Sequence, residues 1–108
     1  MDYRKPRGKP EAEGANRLKL HMQARGWVVD KIGGSKFAVG WPDLFCWHPK
    51  HGLRWIETKA PGGKLRKSQY DRFHRWKQHG LSVYVLEDET HYQRLFLDQD
   101  NWEEYIRW

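Results

Sequence analysis

Asp43, Glu57 and Lys59 are the residues of this 108-residue chain whose types and spacing could do chemistry together. Two short apolar runs, 43–47 and 53–58, flank His48-Pro49-Lys50-His51-Gly52, and the proline and glycine of that linker mark a β-hairpin turn. Centring the turn on Lys50 sets Asp43 opposite Glu57. Directly opposed residues of an antiparallel pair carry Cβ atoms about 4.5–5.5 Å apart on one face. Lys59, two residues beyond Glu57, shares that face under the strand period, whereas Ile56 and Thr58 are expected on the other. Two carboxylates about 4 Å apart repel by roughly 4 kcal/mol at an effective dielectric of about 20. A fold keeps such a pair most readily around a cation. Hard oxygen donors suit Mg²⁺ or Mn²⁺, which takes one or two carboxylates together with waters and phosphate oxygens. Lys59 beside it could hold a phosphate oxygen, orient an attacking water or stabilise developing charge. Spacing alone also allows a solvated hairpin end at which Glu57 pairs with Lys59 or Arg54, an arrangement worth little.

The flanking residues suit a site. Gly40 permits an unusual backbone and Pro42 fixes the residue before Asp43. After Lys59, Ala60-Pro61-Gly62-Gly63 lets the chain pass close to a ligand, and Lys64, Arg66 and Lys67 then lead into a helix. Helix N-termini and basic side chains both attract phosphate.

The elements that must position these residues follow from periodicity. Residues 1–10 form a basic arm containing Arg4, Lys5 and Arg7, and a single domain is expected over 11–108. A helix is predicted over 11–25, with Ala15, Leu18 and Met22 on one stripe and Gly26 as its stop. Residues 27–32 read as a strand and Gly33-Gly34-Ser35 as a break. Beyond the hairpin, a second helix is expected over 68–79, with Ser68 as N-cap, Asp71 three residues later and Gly80 as stop. The apolar run 82–86 reads as a covered strand. The acidic, aromatic tail 88–108 suggests one or two short helices, in which Trp102, Tyr105, Ile106 and Trp108 would pack on the sheet or on a second subunit. The order αβββαβ implies an α/β fold with a mixed central sheet flanked by helices.

Composition sets outer limits. Hydrophobic residues make up 38% and aromatics 15%, too much for a disordered polymer. No long apolar run exists to cross a membrane, and the basic N-terminus has no apolar signal core, so an intracellular location is expected. With 20 Lys+Arg against 14 Asp+Glu the net charge is +6, which favours a polyanionic partner.

Taken together, Gly40-Trp41-Pro42-Asp43, Ile56-Glu57-Thr58-Lys59-Ala60-Pro61-Gly62-Gly63, Lys64-Leu65, Gln69 and the closing Gly80-Leu81-Ser82-Val83 closely resemble the VRR-NUC branch of the PD-(D/E)xK nucleases. The resemblance runs from about residue 11 to 86. It implies a restriction-endonuclease-like core and a Mg²⁺- or Mn²⁺-dependent deoxyribonuclease, an endonuclease on branched or structured DNA such as Holliday junctions. Asp43, Glu57 and the Thr58 backbone carbonyl would hold the metal, with Lys59 as catalytic lysine and Gln69 pointing into the site. The family's first-helix acid would be Glu13 rather than Glu11. Stand-alone members resemble phage or bacterial homodimers. Arg4, Lys5, Arg7, Lys64, Arg66, Lys67 and Arg72 are candidates for DNA-backbone contacts, which position without reading sequence, and Trp41 could stack on an unpaired base. The alternative is a basic DNA-binding module with a vestigial nuclease site.

Other reactive residues have simpler roles. His48 and His51 sit at the far end of the hairpin with no cysteine pair near them, so zinc is not expected. Cys46, the one cysteine, is expected as a packed apolar side chain. Trp27, Trp47, Trp55 and Trp76 are expected in the core.

Overall fold

Ala15, Leu18 and Met22 do form one buried stripe, on a helix that ends by a glycine device. A computed structural model describes residues 10–33 and 39–87 together with His91 and Arg94, and side chains from residue 14 onward. In it, α1 (Pro10–Gln23) is followed by β1 (Val28–Lys31), β2 (Leu44–His48), β3 (Gly52–Thr58), α2 (Lys67–Gln78) and β4 (Val83–Leu86). Pro10, expected as the last residue of the arm, opens α1, where its missing N–H would have had no helical partner anyway. The arm residues Arg4, Lys5 and Arg7 and the expected helices of the tail lie outside the described residues, His91 and Arg94 excepted.

Both helices stop at a Schellman motif. Gly26 (φ 90°) donates its N–H to Gln23 and Trp27 donates to Met22. Gly80 (φ 88°) donates to Lys77 and Leu81 to Trp76. The left-handed glycine lets the last carbonyls find donors. The same bonds turn the chain sharply toward the sheet, so Trp27 enters the core immediately after α1.

The four strands form one sheet in the order β1-β2-β3-β4, with β2 antiparallel to both β1 and β3, and β4 parallel to β3. A parallel neighbour cannot be reached through a tight hairpin, and α2 is the crossover that makes it possible. β2 and β3 pair as Leu44↔Ile56 through His48↔Gly52, the register of a turn centred on Lys50. The ladder stops one residue short of Asp43.

Strand alternation then divides the side chains between two faces. Val29, Leu44, Cys46, Ile56 and Leu86 pack with Leu18 and Met22 of α1, and Trp27 joins the cluster. The opposite face carries Trp55, Glu57, Val83 and Val85 and looks toward α2, whose Phe73 is buried. An aromatic cluster fills that side: Trp41 meets Trp55 at 5.8 Å and Trp76 at 5.0 Å, both edge-on, and Phe45 meets Trp55 at 5.4 Å. Trp47 corrects the expectation of a core residue. It is 46% exposed, because it points away from α1 beside its cross-strand partner Val28, which is itself exposed.

Leu18 is fully buried at the centre of the α1 stripe. Leu18→Ala is expected to cost about 2–5 kcal/mol, measured as a lowered urea midpoint with unchanged slope.

Candidate functional site

The end of β3 is deeply buried although it is polar. Glu57 is 2% exposed, Thr58 1%, Lys59 7% and Gln69 of α2 2%. β3 has hydrogen-bonded neighbours on both sides, and Lys59 extends the pairing by donating its N–H to the Leu86 carbonyl at 2.8 Å. Polar side chains there must therefore find partners among themselves. Glu57 Oε2 accepts from Gln69 Nε2 at 2.9 Å and lies 3.3 Å from Lys59 Nζ. Lys59 Nζ donates to Gln69 Oε1 at 3.0 Å. Gln69 thus bridges the acid and the base, with its amide oxygen toward donors and its amide nitrogen toward the carboxylate.

Gln69 also holds its own helix. Its Oε1 accepts the Arg66 N–H at 3.0 Å, the reach-back half of a capping box with Arg66 at the N-cap and Gln69 at the third helical position. The expected cap, Ser68 with Asp71, is corrected accordingly: α2 starts one residue earlier, at Lys67. Gln69 serves as both cap and clamp, so the start of α2 and the end of β3 are fixed to each other.

Asp43 is held from two directions. Its carbonyl accepts the N–H groups of Ile32 and Gly33 at 2.7 and 3.2 Å. Its Oδ2 accepts both the Thr58 N–H at 2.9 Å and the Thr58 hydroxyl at 2.7 Å. The Thr58 side chain, expected to face away from the acids, therefore touches one of them. Asp43 lies beyond the last ladder pair, where the chain has bent, and its carboxylate takes over the Thr58 N–H that the strand no longer pairs. Two glycines permit this packing. A Cβ on Gly33 would lie 2.9 Å from Asp43 Cα and 3.0 Å from its Oδ1, and one on Gly40 (φ 81°) would lie 2.8 Å from the Ser68 carbonyl oxygen. Gly33, expected only as a flexible break, is a point of close approach.

Burial, and secondly the neighbouring Asp43 carboxylate, push Glu57 up from the usual carboxylate range to about 7, against the opposing pull of Lys59 and Gln69. Its second oxygen, Oε1, is buried and has no hydrogen-bond partner among the described residues. An acid in that position is short of a positive partner. Two carboxylates and neighbouring backbone carbonyls, without a third His, Cys, Asp or Glu close by among the described residues, suit an oxygen-liganded ion that keeps waters rather than a closed zinc cage. The side chains of Glu13 and Glu11 lie outside the described residues.

The basic candidates divide. Lys64, Arg66 and Lys67 are exposed at the start of α2, with Lys67 paired to Asp71 at 2.9 Å. Arg72 is half-buried, donates to the Val39 carbonyl at 3.3 Å and lies over the Trp41 ring at 5.3 Å. Trp41, through its aromatic contacts, belongs to the wall beside Asp43. At the opposite end of the hairpin, His51 stacks on Trp27 at 5.8 Å and His48 meets the same ring tilted, at 5.2 Å. Burial, with a smaller contribution from Asp30, pushes the Cys46 thiol up to about 12, leaving it protonated and unreactive.

The architecture is shared with a solved structure described as a VRR-NUC domain: TM-score 0.73, 22% identity, covering 84% of this chain and 98% of the other. That likeness establishes a common α/β fold. The VRR-NUC domain model matches residues 9–89, and the chain belongs to that family of nuclease domains. No curated protein matches it. No helix among the described residues is long and apolar enough to cross a membrane.

The raised Glu57 acidity gives a prediction for the metal-free protein. Between its ordinary value of 4.5 and its folded value of about 7, the native state holds a proton that the unfolded state has released. Stability attributable to Glu57 therefore falls as pH rises through that window, by an amount on the order of 3 kcal/mol, and stays low above it. Urea unfolding of wild type and Glu57→Gln between pH 4 and 8 should show this slope in wild type and its loss in the variant. Parallel curves would refute the assignment.

Proposed function

We propose that this chain is a divalent-metal-dependent deoxyribonuclease that hydrolyses phosphodiester bonds, acting as an endonuclease on branched or structured DNA such as Holliday junctions. The observation that carries the reading is the buried Glu57 carboxyl, with one oxygen lacking a partner among the described residues, beside the anchored Asp43 and within 3.3 Å of Lys59. Asp43, Glu57 and the Thr58 backbone carbonyl would hold Mg²⁺ or Mn²⁺. When bound, such an ion polarises the phosphate and makes a coordinated water more acidic.

The remaining work falls to the chain's own residues. Lys59 Nζ, clamped between Glu57 and Gln69, puts positive charge where the attacked phosphate gains negative charge, in a site with little competing water. Gln69 keeps that ammonium and the Glu57 carboxylate in fixed relation. Glu13, on the first helix, is the proposed additional acid. Lys64, Arg66 and Lys67 at the N-terminus of α2, with Arg4, Lys5 and Arg7 of the arm, would meet backbone phosphates. Arg72 would contribute from its place on Trp41, and Trp41 offers an aromatic edge to an unpaired base. A homodimer would place two such sites at a fixed spacing, an arrangement suited to cutting two strands.

The direct test is cleavage of plasmid and four-way-junction DNA with Mg²⁺ or Mn²⁺. Wild type should cut, and Asp43→Asn and Lys59→Ala should each lose at least about 100-fold in rate. A wild type that cleaves nothing, or an Asp43→Asn variant that cuts equally well, would leave a DNA-binding module with a vestigial site.

The basic surface is tested separately. Lys67 is exposed and its ion pair with Asp71 is of the weak surface kind, so it can be exchanged for a phosphate. Lys67→Ala should weaken DNA binding on all sequences and reduce the slope of log affinity against log salt by about 1. An unchanged slope would remove Lys67 from the interface.

A further inference from the structure

We propose that Thr58 is a positioning residue for this site: its hydroxyl and its backbone N–H together fix the Asp43 carboxylate in the orientation that receives a divalent cation. The inference rests on the reading of Asp43 and Glu57 as the metal-holding acids.

Asp43 stands in a bend, beyond the last paired residue of β2. A carboxylate there has a broad terminal torsion, and a single donor would let either oxygen take the bond as the group rotates. Thr58 supplies two donors to the same oxygen, at 2.9 and 2.7 Å, and both are strengthened by the charge they meet. Thr58 is 1% exposed, so solvent hardly competes for its hydroxyl. Its β-branched side chain has few rotamers within a strand, which makes the hydroxyl a rigid support. Oδ2 is thereby committed to the protein. Oδ1 lies on the Gly33 side, where a Cβ would come within 3.0 Å of it. The carbonyl of the same residue is tied down by Ile32 and Gly33, so Asp43 is restrained at its main chain and at its carboxylate.

A threonine in a strand ordinarily needs no explanation beyond β-propensity. What distinguishes Thr58 is that its hydroxyl reaches across from between Glu57 and Lys59 to the acid in the bend just before β2. Partners that orient a metal-binding carboxylate typically contribute about 10–100-fold in affinity.

The test is Mn²⁺ binding to the full chain, by calorimetry and by electron paramagnetic resonance, for wild type, Thr58→Val and Thr58→Ser. Valine keeps shape and backbone N–H but removes the hydroxyl; serine restores it. The expected result is a Kd for Mn²⁺ raised about 10–100-fold in Thr58→Val and within about threefold of wild type in Thr58→Ser. The half-saturating Mn²⁺ concentration for DNA cleavage should shift in parallel. If Thr58→Val binds Mn²⁺ as tightly as wild type, or Thr58→Ser binds as weakly as Thr58→Val, the hydroxyl has no positioning role. Should Thr58→Val fail to fold by circular dichroism, Thr58→Ala against Thr58→Ser decides the same question by the same criterion. A wild type that binds no Mn²⁺ overturns the metal reading itself, and this inference with it.

Discussion

A carboxylate buried at the end of a central strand is the constraint to which the rest of this structure answers. Taking Glu57 out of water costs several kcal/mol unless charge and hydrogen bonds compensate. The protein compensates in part, with Gln69 and Lys59 on one oxygen, and leaves the other without a partner among the described residues. The same burial that makes Glu57 costly makes the local dielectric low, so every charge near it acts strongly.

The fold explains why those partners are available. β4 runs parallel to β3 and must be reached by a crossover, and α2 is that crossover. Its first turn arrives beside the end of β3, where Gln69 can meet Glu57, Lys59 and its own N-cap at once. The helix N-terminus at Arg66, Glu57 and Lys59 are thus joined by one side chain. The aromatic cluster of Trp41, Trp55 and Trp76 sets the far side of the same helix against the strand and carries the Gly40–Asp43 segment with it.

The proposed chemistry needs few parts beyond these. A phosphodiester carries its own negative charge into the site, and a divalent ion with Lys59 would oppose the repulsion between that charge and the two acids. The basic surface at the start of α2 would favour the approach of a polyanion without selecting its sequence.

The sequence by itself determined the element order, the hairpin register and the proximity of Asp43, Glu57 and Lys59, because these follow from period-two alternation and from a turn that Pro49 and Gly52 localise. The spacing also located the α1 stripe of Ala15, Leu18 and Met22, and the glycine that ends each helix, since those signals are local. Three features were decided only in the tertiary structure. The N-cap at Arg66 depends on Gln69 folding back, whereas local residue types point equally to Ser68 with Asp71. An aromatic residue in a strand is usually core, yet the exposure of Trp47 is set by what packs across its face, and α1 is on the other side. Alternation alone turns Thr58 away from the acids, but alternation holds only while both strands stay straight. Once the chain bends at Asp43, distance in space no longer follows the strand period, and a hydroxyl nominally on the far face becomes the acid's nearest partner.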